Sequence, residues 1–223
     1  MDEDDEKSTD TVLKIVICGD GTSGKTSLCL RLTQSTFSIH YAQTVGFEFY
    51  TKRLLLPDKT SVLLQVWDIG GQSIASPMLQ KYIIGANGAI VVYDVTNSSS
   101  FESLNEWLSV IEKAASLSNQ KIHFSLVGNK TDMEQRRTVH IEQHIKFAEQ
   151  YKMSSHYVSA KTGDGVMLMF RQIAADILGK KLTKTDIEAD IAVIEAPLAV
   201  PDEAQRLQHV RDQSKYTSVC SVM

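Results

Sequence analysis

The chain has 223 residues, of which 43% are hydrophobic and 22% charged, and its formal net charge is −4. This composition is typical of a globular protein with one domain of about 160–180 residues, and the net negative charge does not indicate nucleic-acid binding. No apolar run approaches about 18 residues, the acidic start is unlike a basic signal peptide, and three cysteines do not make a disulfide framework.

Apolar runs of strand length alternate with helical patterns along the chain. Two of these runs flank a turn at 57–59 and predict a hairpin, which adds one antiparallel strand. The others predict parallel strands covered by helices on both faces. The predicted fold is therefore α/β, with a six-stranded, mostly parallel sheet that binds ligands at the carboxyl ends of its strands. The expected strands are 13–18, 47–54, 62–67, 89–93, 122–127 and 155–158, and the expected helices start at 27 and cover 73–84, 101–116, 140–151 and 164–179.

The composition changes at both ends of this alternating region. Residues 1–11 are acidic and polar and are expected to be disordered, whereas residues 12–179 are expected to form the domain. Residues 180–219 are expected to form a flexible tail. Its apolar run at 191–196 is either a segment that docks on a partner or a sticky part of a loose tail. Residues 220–223 fit the C-a-a-X prenylation pattern.

Residues 19–26 fit G-x-x-x-x-G-K-[ST], the phosphate-binding loop, between a strand and a helix. Its glycines let backbone N–H groups approach a polyphosphate, and the helix N-terminus adds partial positive charge. Lys25 is expected to reach the β- and γ-phosphates, and the Thr26 hydroxyl is expected to bind Mg²⁺, a hard cation that prefers oxygen ligands. The alternative is a chance glycine-rich turn, which the flanking strand and helix disfavour.

A phosphate loop alone does not choose between purines, but the N-K-T-D stretch at 129–132 does. The Asp132 carboxylate can accept the guanine N1–H and exocyclic amine, a pair of donors that adenine lacks, and a buried carboxylate left unpaired is costly. Asn129 is expected to tie the base loop to the phosphate loop, and the Lys130 stem to lie along the ring face. After the next strand, the Ala160 N–H is expected to meet the guanine O6.

Residues 67–72 end the second strand of the hairpin. Asp68 is placed to hold Mg²⁺ through water, the Gly71 N–H to reach a γ-phosphate, and Gln72 to orient an attacking water. Thr44 is placed to close over Mg²⁺ with its hydroxyl and to sense the γ-phosphate with its N–H. The alternative for residues 67–72 is an ordinary turn at a strand end.

In order and spacing, these stretches resemble the Ras superfamily of small GTPases, and residues 44–49 and 92–97 look like its Rab family. The resemblance covers residues 13–179 and implies a P-loop NTPase fold, the small G domain, which binds GTP or GDP with Mg²⁺ and hydrolyses GTP slowly as a molecular switch. The implied catalytic residues are Lys25, Thr44 and Gln72; the metal ligands are Thr26, Thr44 and Asp68; and the nucleotide contacts are Gly21, Ser23, Gly24, Lys25, Thr26, Ser27, Phe37, Ser38, Ile39, Tyr41, Thr44, Gly71, Asn129, Lys130, Asp132, Ser159, Ala160 and Lys161.

Residues 69–73 depart from the Rab pattern. Ile69 and Gly70 stand where that pattern has Thr and Ala, and Ser73 stands where it has Glu. Gly70 is expected to add backbone freedom to the loop that orders around the γ-phosphate. Ile69 and Ser73 change the surface that partners read.

The implied partners are an exchange factor, a GTPase-activating protein and effectors, which read residues 37–50 and 69–82 of a monomer. Cys220 is expected to carry a farnesyl group, whereas most Rab proteins end in paired cysteines. Because one lipid gives marginal membrane binding, the protein is expected to exchange between the cytosol and the cytoplasmic face of membranes. A prenyltransferase and a prenyl-binding carrier are therefore further partners, and the resemblance implies vesicle or ciliary-base traffic.

Three alternatives stay open. Phe37 packs either on the base or in the core at the end of the first helix. The protein could also be a pseudo-GTPase, which binds the nucleotide but never hydrolyses GTP. Gln72 and Thr44 argue against this function, whereas Gly70 leaves it open. A P-loop phosphotransferase is a third, and it would not need Asn129 and Asp132.

Overall fold

The computed structural model describes residues 10–117 and 121–191, and six strands within them form one sheet. The strands are β1 (Thr11–Cys18), β2 (Phe47–Leu56), β3 (Thr60–Ile69), β4 (Gly88–Asp94), β5 (His123–Asn129) and β6 (Ser154–Val158). Their order across the sheet is β2-β3-β1-β4-β5-β6. β2 and β3 pair antiparallel, and the other four pairs are parallel, which confirms the predicted sheet.

Helices cover both faces of this sheet. Successive residues of β1 point to opposite faces, as the pleat of a strand requires. Ile17 belongs to a buried cluster with Leu28 and Phe170 on one face, and Val16 belongs to a second cluster with Trp107 on the other face. The helices are α1 (Lys25–Gln34), α2 (Leu79–Ile83), α3 (Ser98–Glu102), α4 (Leu104–Leu117), α5 (Ile141–Gln150), α6 (Val166–Ile177) and α7 (Lys184–Ile191), with 3-10 turns at Pro57–Lys59, Gly71–Ala75 and Thr131–Arg136.

The helix predicted over 73–84 is wrong in its first half. A 3-10 turn over Gly71–Ala75 is followed by an extended residue, Ser76 with ψ 130°, and α2 begins only at Leu79. Pro77 explains the break, because the residue before a proline is driven out of the helical region. The loop after β3 is therefore less regular than its sequence pattern predicts.

The expectation that residues 180–219 form a flexible tail is wrong at the start of that range, because α7 covers Lys184–Ile191. Thr183 and Asp186 cap the start of α7 reciprocally: the Thr183 N–H donates to the Asp186 carboxylate at 3.0 Å, and the Asp186 N–H donates to the Thr183 hydroxyl at 3.2 Å. Arg171 on α6 holds α7 with two ion pairs, to Asp186 at 3.0 Å and to Asp190 at 2.7 Å. Residues 184–191 therefore pack on the domain.

Several expectations concern parts of the chain outside the described residues. These are residues 1–9 of the stretch 1–11 that is expected to be disordered, most of the apolar run at 191–196, the remainder of the tail, and Cys220. The expectation of disorder is wrong at residues 10 and 11, because Thr11 begins β1 and Asp10 forms an ion pair with Arg53 at 2.6 Å. Of the helices in the described part of the chain, none combines the length and apolarity that a bilayer crossing needs.

Replacing Arg171 by Met tests how α7 is held. The methionine keeps an apolar stem but removes two ion pairs, and we expect the free energy of unfolding to fall by about 1–2 kcal/mol. Hydrogen exchange at the Ile187 amide, which donates to the Thr183 carbonyl at 3.1 Å, should accelerate. Arg136→Met, at an exposed position, is the matched control. Unchanged exchange at Ile187 in the Arg171 variant would show that other contacts hold α7.

Candidate nucleotide-binding site

The carboxyl ends of the parallel strands open into one cavity of about 500 Å³. The loops that follow β1 and β5 and the segment after β6 form its walls, because parallel strands bring their carboxyl ends to one edge of a sheet. The predicted residues that line it are Gly21, Gly24, Lys25, Thr26, Ser27, Phe37, Ser38, Ile39, Tyr41, Thr44, Gly71, Gln72, Asn129, Lys130, Asp132, Ala160 and Lys161.

Three predicted residues are buried behind this lining. Ser23 and Ser159 are each 1% exposed, and Asp68 is fully buried. The Ser23 hydroxyl donates to the Asp20 carbonyl at 2.9 Å, and the Ser159 hydroxyl donates to Asp132 at 2.7 Å. These two serines therefore shape the loops whose other residues line the cavity.

The structure also places residues in the cavity wall that were not predicted. Leu30 follows Thr26 by one helical turn on α1, and this spacing could have identified it. Met133 follows the base loop, and no pattern in the sequence points to it. The complete set of unpredicted lining residues is Thr22, Leu30, His40, Ala42, Gln43 and Met133.

At the phosphate loop, the Lys25 side chain is 6% exposed and donates to the carbonyls of Gly19 and Asp20, both at 2.8 Å. Burial lowers the pKa of Lys25, and the nearby Asp68 carboxylate opposes that shift. Gly24 precedes α1 with φ +95°, and a Cβ there would lie 2.2 Å from the Asn129 amide nitrogen. The free N–H groups at the start of α1 and the Lys25 ammonium therefore lie together, which is an arrangement that can bind an anion.

Asp68, Thr26 and Thr44 meet beside the phosphate loop. The Thr26 hydroxyl donates to Asp68 Oδ2 at 2.5 Å, and the Thr44 hydroxyl lies 3.0 Å from that of Thr26. Asp68 Oδ1 is buried and has no hydrogen-bond partner. Burial raises the pKa of Asp68 to about 6, although the Thr26 hydrogen bond and the Lys25 charge both lower it. An unpaired buried carboxylate oxygen beside two hydroxyls is a donor set that fits Mg²⁺.

At the other end of the cavity, the Asn129 amide joins two loops. Its Nδ2 donates to the Ser23 carbonyl at 2.8 Å, which is the predicted tie between base loop and phosphate loop. Its Oδ1 accepts from the Ala160 N–H at 3.1 Å. The N–H predicted to meet guanine O6 thus donates to Asn129 in this structure, so a base must share that donor with the amide.

Asp132 and Lys130, which line the cavity, also contact neighbouring side chains. The Asp132 side chain is 12% exposed, accepts from the Ser159 hydroxyl and lies 3.7 Å from the Lys161 ammonium. Lys130 has φ +69° and forms an ion pair with Asp94 at 2.6 Å. This pair anchors the stem of Lys130 at the edge of the cavity.

Phe37 packs in the core at the end of the first helix, as one of its two alternatives predicts, and its contact with a base stays a prediction. It is half-buried against the cluster that contains Leu28, and it also lines the cavity. The structure therefore places this ring between the core and the site.

Gly70 lies at a crowded junction between two loops, in a backbone conformation that does not itself require glycine. Its φ of −59° and ψ of 135° are open to any residue, and its N–H donates to the Gly46 carbonyl at 2.9 Å. A Cβ at Gly70 would lie 2.4 Å from the Thr44 carbonyl oxygen. The Ser73 hydroxyl donates to the same Gly46 carbonyl at 3.2 Å. Gly70 and Ser73 thus join the loop before β2 to the loop after β3.

Gly71 lies against the phosphate loop, where a Cβ would be 2.2 Å from the Gly21 nitrogen. Gln72 follows it with an exposed side chain at the cavity wall. The loop after β3 therefore reaches the end of the cavity that holds Lys25 and Thr26, where a terminal phosphate would lie.

A phosphate loop and a base loop that share one cavity at the end of such a sheet define a P-loop nucleotide-binding domain. The model of the Ras family matches residues 14–179. The chain is 48% identical to the Ras-related protein Rab-28 of Caenorhabditis elegans over 220 residues, which is 98% of this chain and 89% of that protein.

Other relatives are more distant. Rab-13 of Canis lupus familiaris is 36% identical over 78% of this chain and 84% of its own length, and Rab-1 of Theileria parva is 38% identical over 78% of each. The chain therefore belongs to the Ras family and is a small GTPase of the Rab group.

Gly70→Ala tests the junction between the two loops. The added methyl group must displace the Thr44 carbonyl, and we expect a loss of about 1–3 kcal/mol in the free energy of unfolding, as for overpacking elsewhere. Hydrogen exchange should also accelerate at residues 43–47. Val45→Ala is the control in the same loop, because Val45 is 88% exposed. If Gly70→Ala matched this control in both measurements, the junction would not depend on the absence of a side chain.

Proposed function

We propose that this protein binds GTP and GDP with Mg²⁺, hydrolyses GTP slowly, and uses the difference between the two states to recruit effectors in membrane traffic. The observation that supports this most directly is that Lys25 and Asp132 line one cavity, where the Asn129–Ser23 hydrogen bond joins their two loops. A triphosphate end and a purine end are thereby available to one ligand.

The base is selected by Asp132. The Ser159 hydroxyl and the Lys161 ammonium hold this carboxylate on one side, and its remaining acceptor positions face the N1–H and amine of guanine. Adenine offers no such pair of donors and would leave the carboxylate desolvated and unpaired.

The phosphates are bound by the N–H groups at the start of α1 and by Lys25. Because Lys25 is already held by the carbonyls of Gly19 and Asp20, it loses little freedom when it meets a phosphate. Thr26, Thr44 and Asp68 would hold Mg²⁺, which when bound neutralises charge on the β- and γ-phosphates. The Thr44 and Gly71 N–H groups bind the γ-phosphate, and Gln72 orients the attacking water.

Hydrolysis by the protein alone is slow in this proposal, at roughly 10⁻⁴–10⁻³ s⁻¹ as in unassisted relatives. No arginine in residues 10–117 and 121–191 lines the cavity. Arg31 donates to backbone carbonyls, and Arg53 pairs with Asp10. An activating partner would therefore have to supply the missing positive charge.

After hydrolysis, the contacts of Thr44 and Gly71 with the γ-phosphate are lost and both loops relax. Effectors and regulators read these loops, at residues 37–50 and 69–82. The membrane part of the proposal is supported by the C-a-a-X end at Cys220 and by the Rab names of the relatives. A single farnesyl group gives reversible attachment, so a carrier protein sets where the switch acts.

Asp132→Asn tests the reading of the base. The amide presents a donor where the carboxylate accepts, and we expect GTP affinity to fall by about 10- to 100-fold. Xanthosine triphosphate should bind the variant more tightly than it binds the wild-type protein, because its C2 oxygen can accept from that amide. Competition against a fluorescent GDP analogue measures both, with the exposed Asp164→Asn as control. Equal loss for both nucleotides would contradict base reading by Asp132.

Gln72→Leu tests the orientation of water. We expect single-turnover hydrolysis of GTP to slow by about tenfold or more, with GTP affinity retained, because the side chain acts on water and not on the nucleotide. Gln80→Leu on α2, outside the cavity, should hydrolyse GTP at the wild-type rate. Wild-type turnover in the Gln72 variant would remove Gln72 from the mechanism. Absence of turnover in the wild-type protein would support the pseudo-GTPase reading instead.

A further inference from the structure

Arg31 is a buried cation whose charge is met by backbone carbonyls. It lies on α1, six residues after Lys25, and is 7% exposed. Its Nε donates to the Ala160 carbonyl at 2.9 Å, and its Nη2 donates to the Lys161 carbonyl at 2.5 Å. Its Nη1 donates to Ser35 at the end of α1 at 3.1 Å. None of the ion pairs found among the described residues includes Arg31.

The two carbonyls that Arg31 holds belong to the loop after β6, which faces the base end of the cavity. Ala160 contributes the N–H predicted to read guanine O6, and Lys161 contributes the ammonium near Asp132. This loop has no regular structure before α6, and Gly163 and Gly165 within it have φ of +89° and +68°. Hydrogen bonds within the loop join Ser159 to Gly163 and to Asp164, whereas the carbonyls of Ala160 and Lys161 accept from Arg31 on another element.

Guanidinium geometry suits this task. Its planar fork donates to two adjacent acceptors at once, and this fixes the orientation of both peptide groups, which a lysine ammonium cannot do equally well. The contacts span 129 and 130 residues of sequence and connect the loop to the helix that starts in the phosphate loop. Asn129 makes the only other side-chain link that the described residues show to the Ala160 backbone.

We infer that Arg31 is a positioning residue for guanine recognition: from α1 it holds the Ala160–Lys161 segment so that the Ala160 N–H faces the O6 position of the base. The inference rests on the proposed function, since it concerns the same cavity. It adds a second tie between phosphate end and base end, beside the Asn129–Ser23 hydrogen bond. It also separates two parts of guanine recognition, with O6 read through Arg31 and the 2-amino group read through Asp132.

Nucleotide analogues separate these two parts. 6-Thio-GDP replaces O6 by sulfur, a weaker acceptor, and keeps the 2-amino group, whereas inosine diphosphate keeps O6 and lacks the 2-amino group. The full chain, with Mg²⁺, is titrated with GDP and both analogues in competition with a fluorescent GDP analogue. We expect the wild-type protein to prefer GDP over 6-thio-GDP by roughly three- to tenfold, the scale of one neutral hydrogen bond.

In Arg31→Met, the preference for GDP over 6-thio-GDP should fall to within about twofold, while the preference for GDP over inosine diphosphate stays at the wild-type value. Arg31→Lys keeps the charge and the stem, and should recover part of the lost preference. Arg53→Met, which removes an arginine far from the cavity, should change neither ratio. If Arg31→Met does not fold, Arg31→Lys decides, with a reduced 6-thio-GDP ratio expected.

Two results would overturn the inference. An unchanged GDP to 6-thio-GDP ratio in the folded Arg31 variants would show that the Ala160 N–H does not depend on this side chain. An equal loss of affinity for all three nucleotides would show that Arg31 only stabilises the fold. Failure of the proposed function is a different result, because the wild-type protein would then bind ADP as well as GDP.

Discussion

The site depends on one buried amide. Asn129 is 1% exposed, donates to the Ser23 carbonyl at 2.8 Å and accepts from the Ala160 N–H at 3.1 Å. The three loops at the carboxyl ends of β1, β5 and β6 therefore meet at one side chain. Gly24 leaves the space this requires, since a Cβ there would overlap the amide nitrogen. Without this junction the phosphate loop and the base loop would be separate turns at the end of a sheet.

The phosphate end is organised by charge. Asp68 is fully buried with one oxygen unpaired, and burial raises its pKa to about 6, which disfavours the ionised carboxylate. Positive charge nearby acts in the opposite direction and stabilises that ionised form. Lys25 supplies part of that charge, and Mg²⁺ would supply the rest. Thr44 reaches this place from the loop before β2, which the hydrogen bond from the Gly70 N–H to the Gly46 carbonyl joins to the loop after β3. Gly70 and Ser73, two of the three residues that depart from the Rab pattern, thus connect the two loops that the proposed switch would move.

Much of the fold could be predicted because the strands are apolar runs bounded by turn residues, and because the phosphate and base motifs fall at strand ends. The periodicity over 73–84 predicts a helix, but Pro77 within it is a local signal against one. Elsewhere local patterns fail because distant contacts decide the outcome, as for α7, which Arg171 of α6 holds with two ion pairs. The role of Gly70 depends on a carbonyl of another loop, and that of Arg31 on a loop 129 residues away, so neither was visible in its own sequence neighbourhood.

If one cavity binds a triphosphate and a guanine together, the protein must choose between the two purine nucleotides, and a competition experiment measures that choice. The purified full chain, stripped of nucleotide, is offered equal concentrations of GTP and ATP with Mg²⁺, and the bound nucleotide is identified by chromatography. We expect guanine nucleotide to be recovered almost alone. Recovery of adenine nucleotide in comparable amount would contradict it.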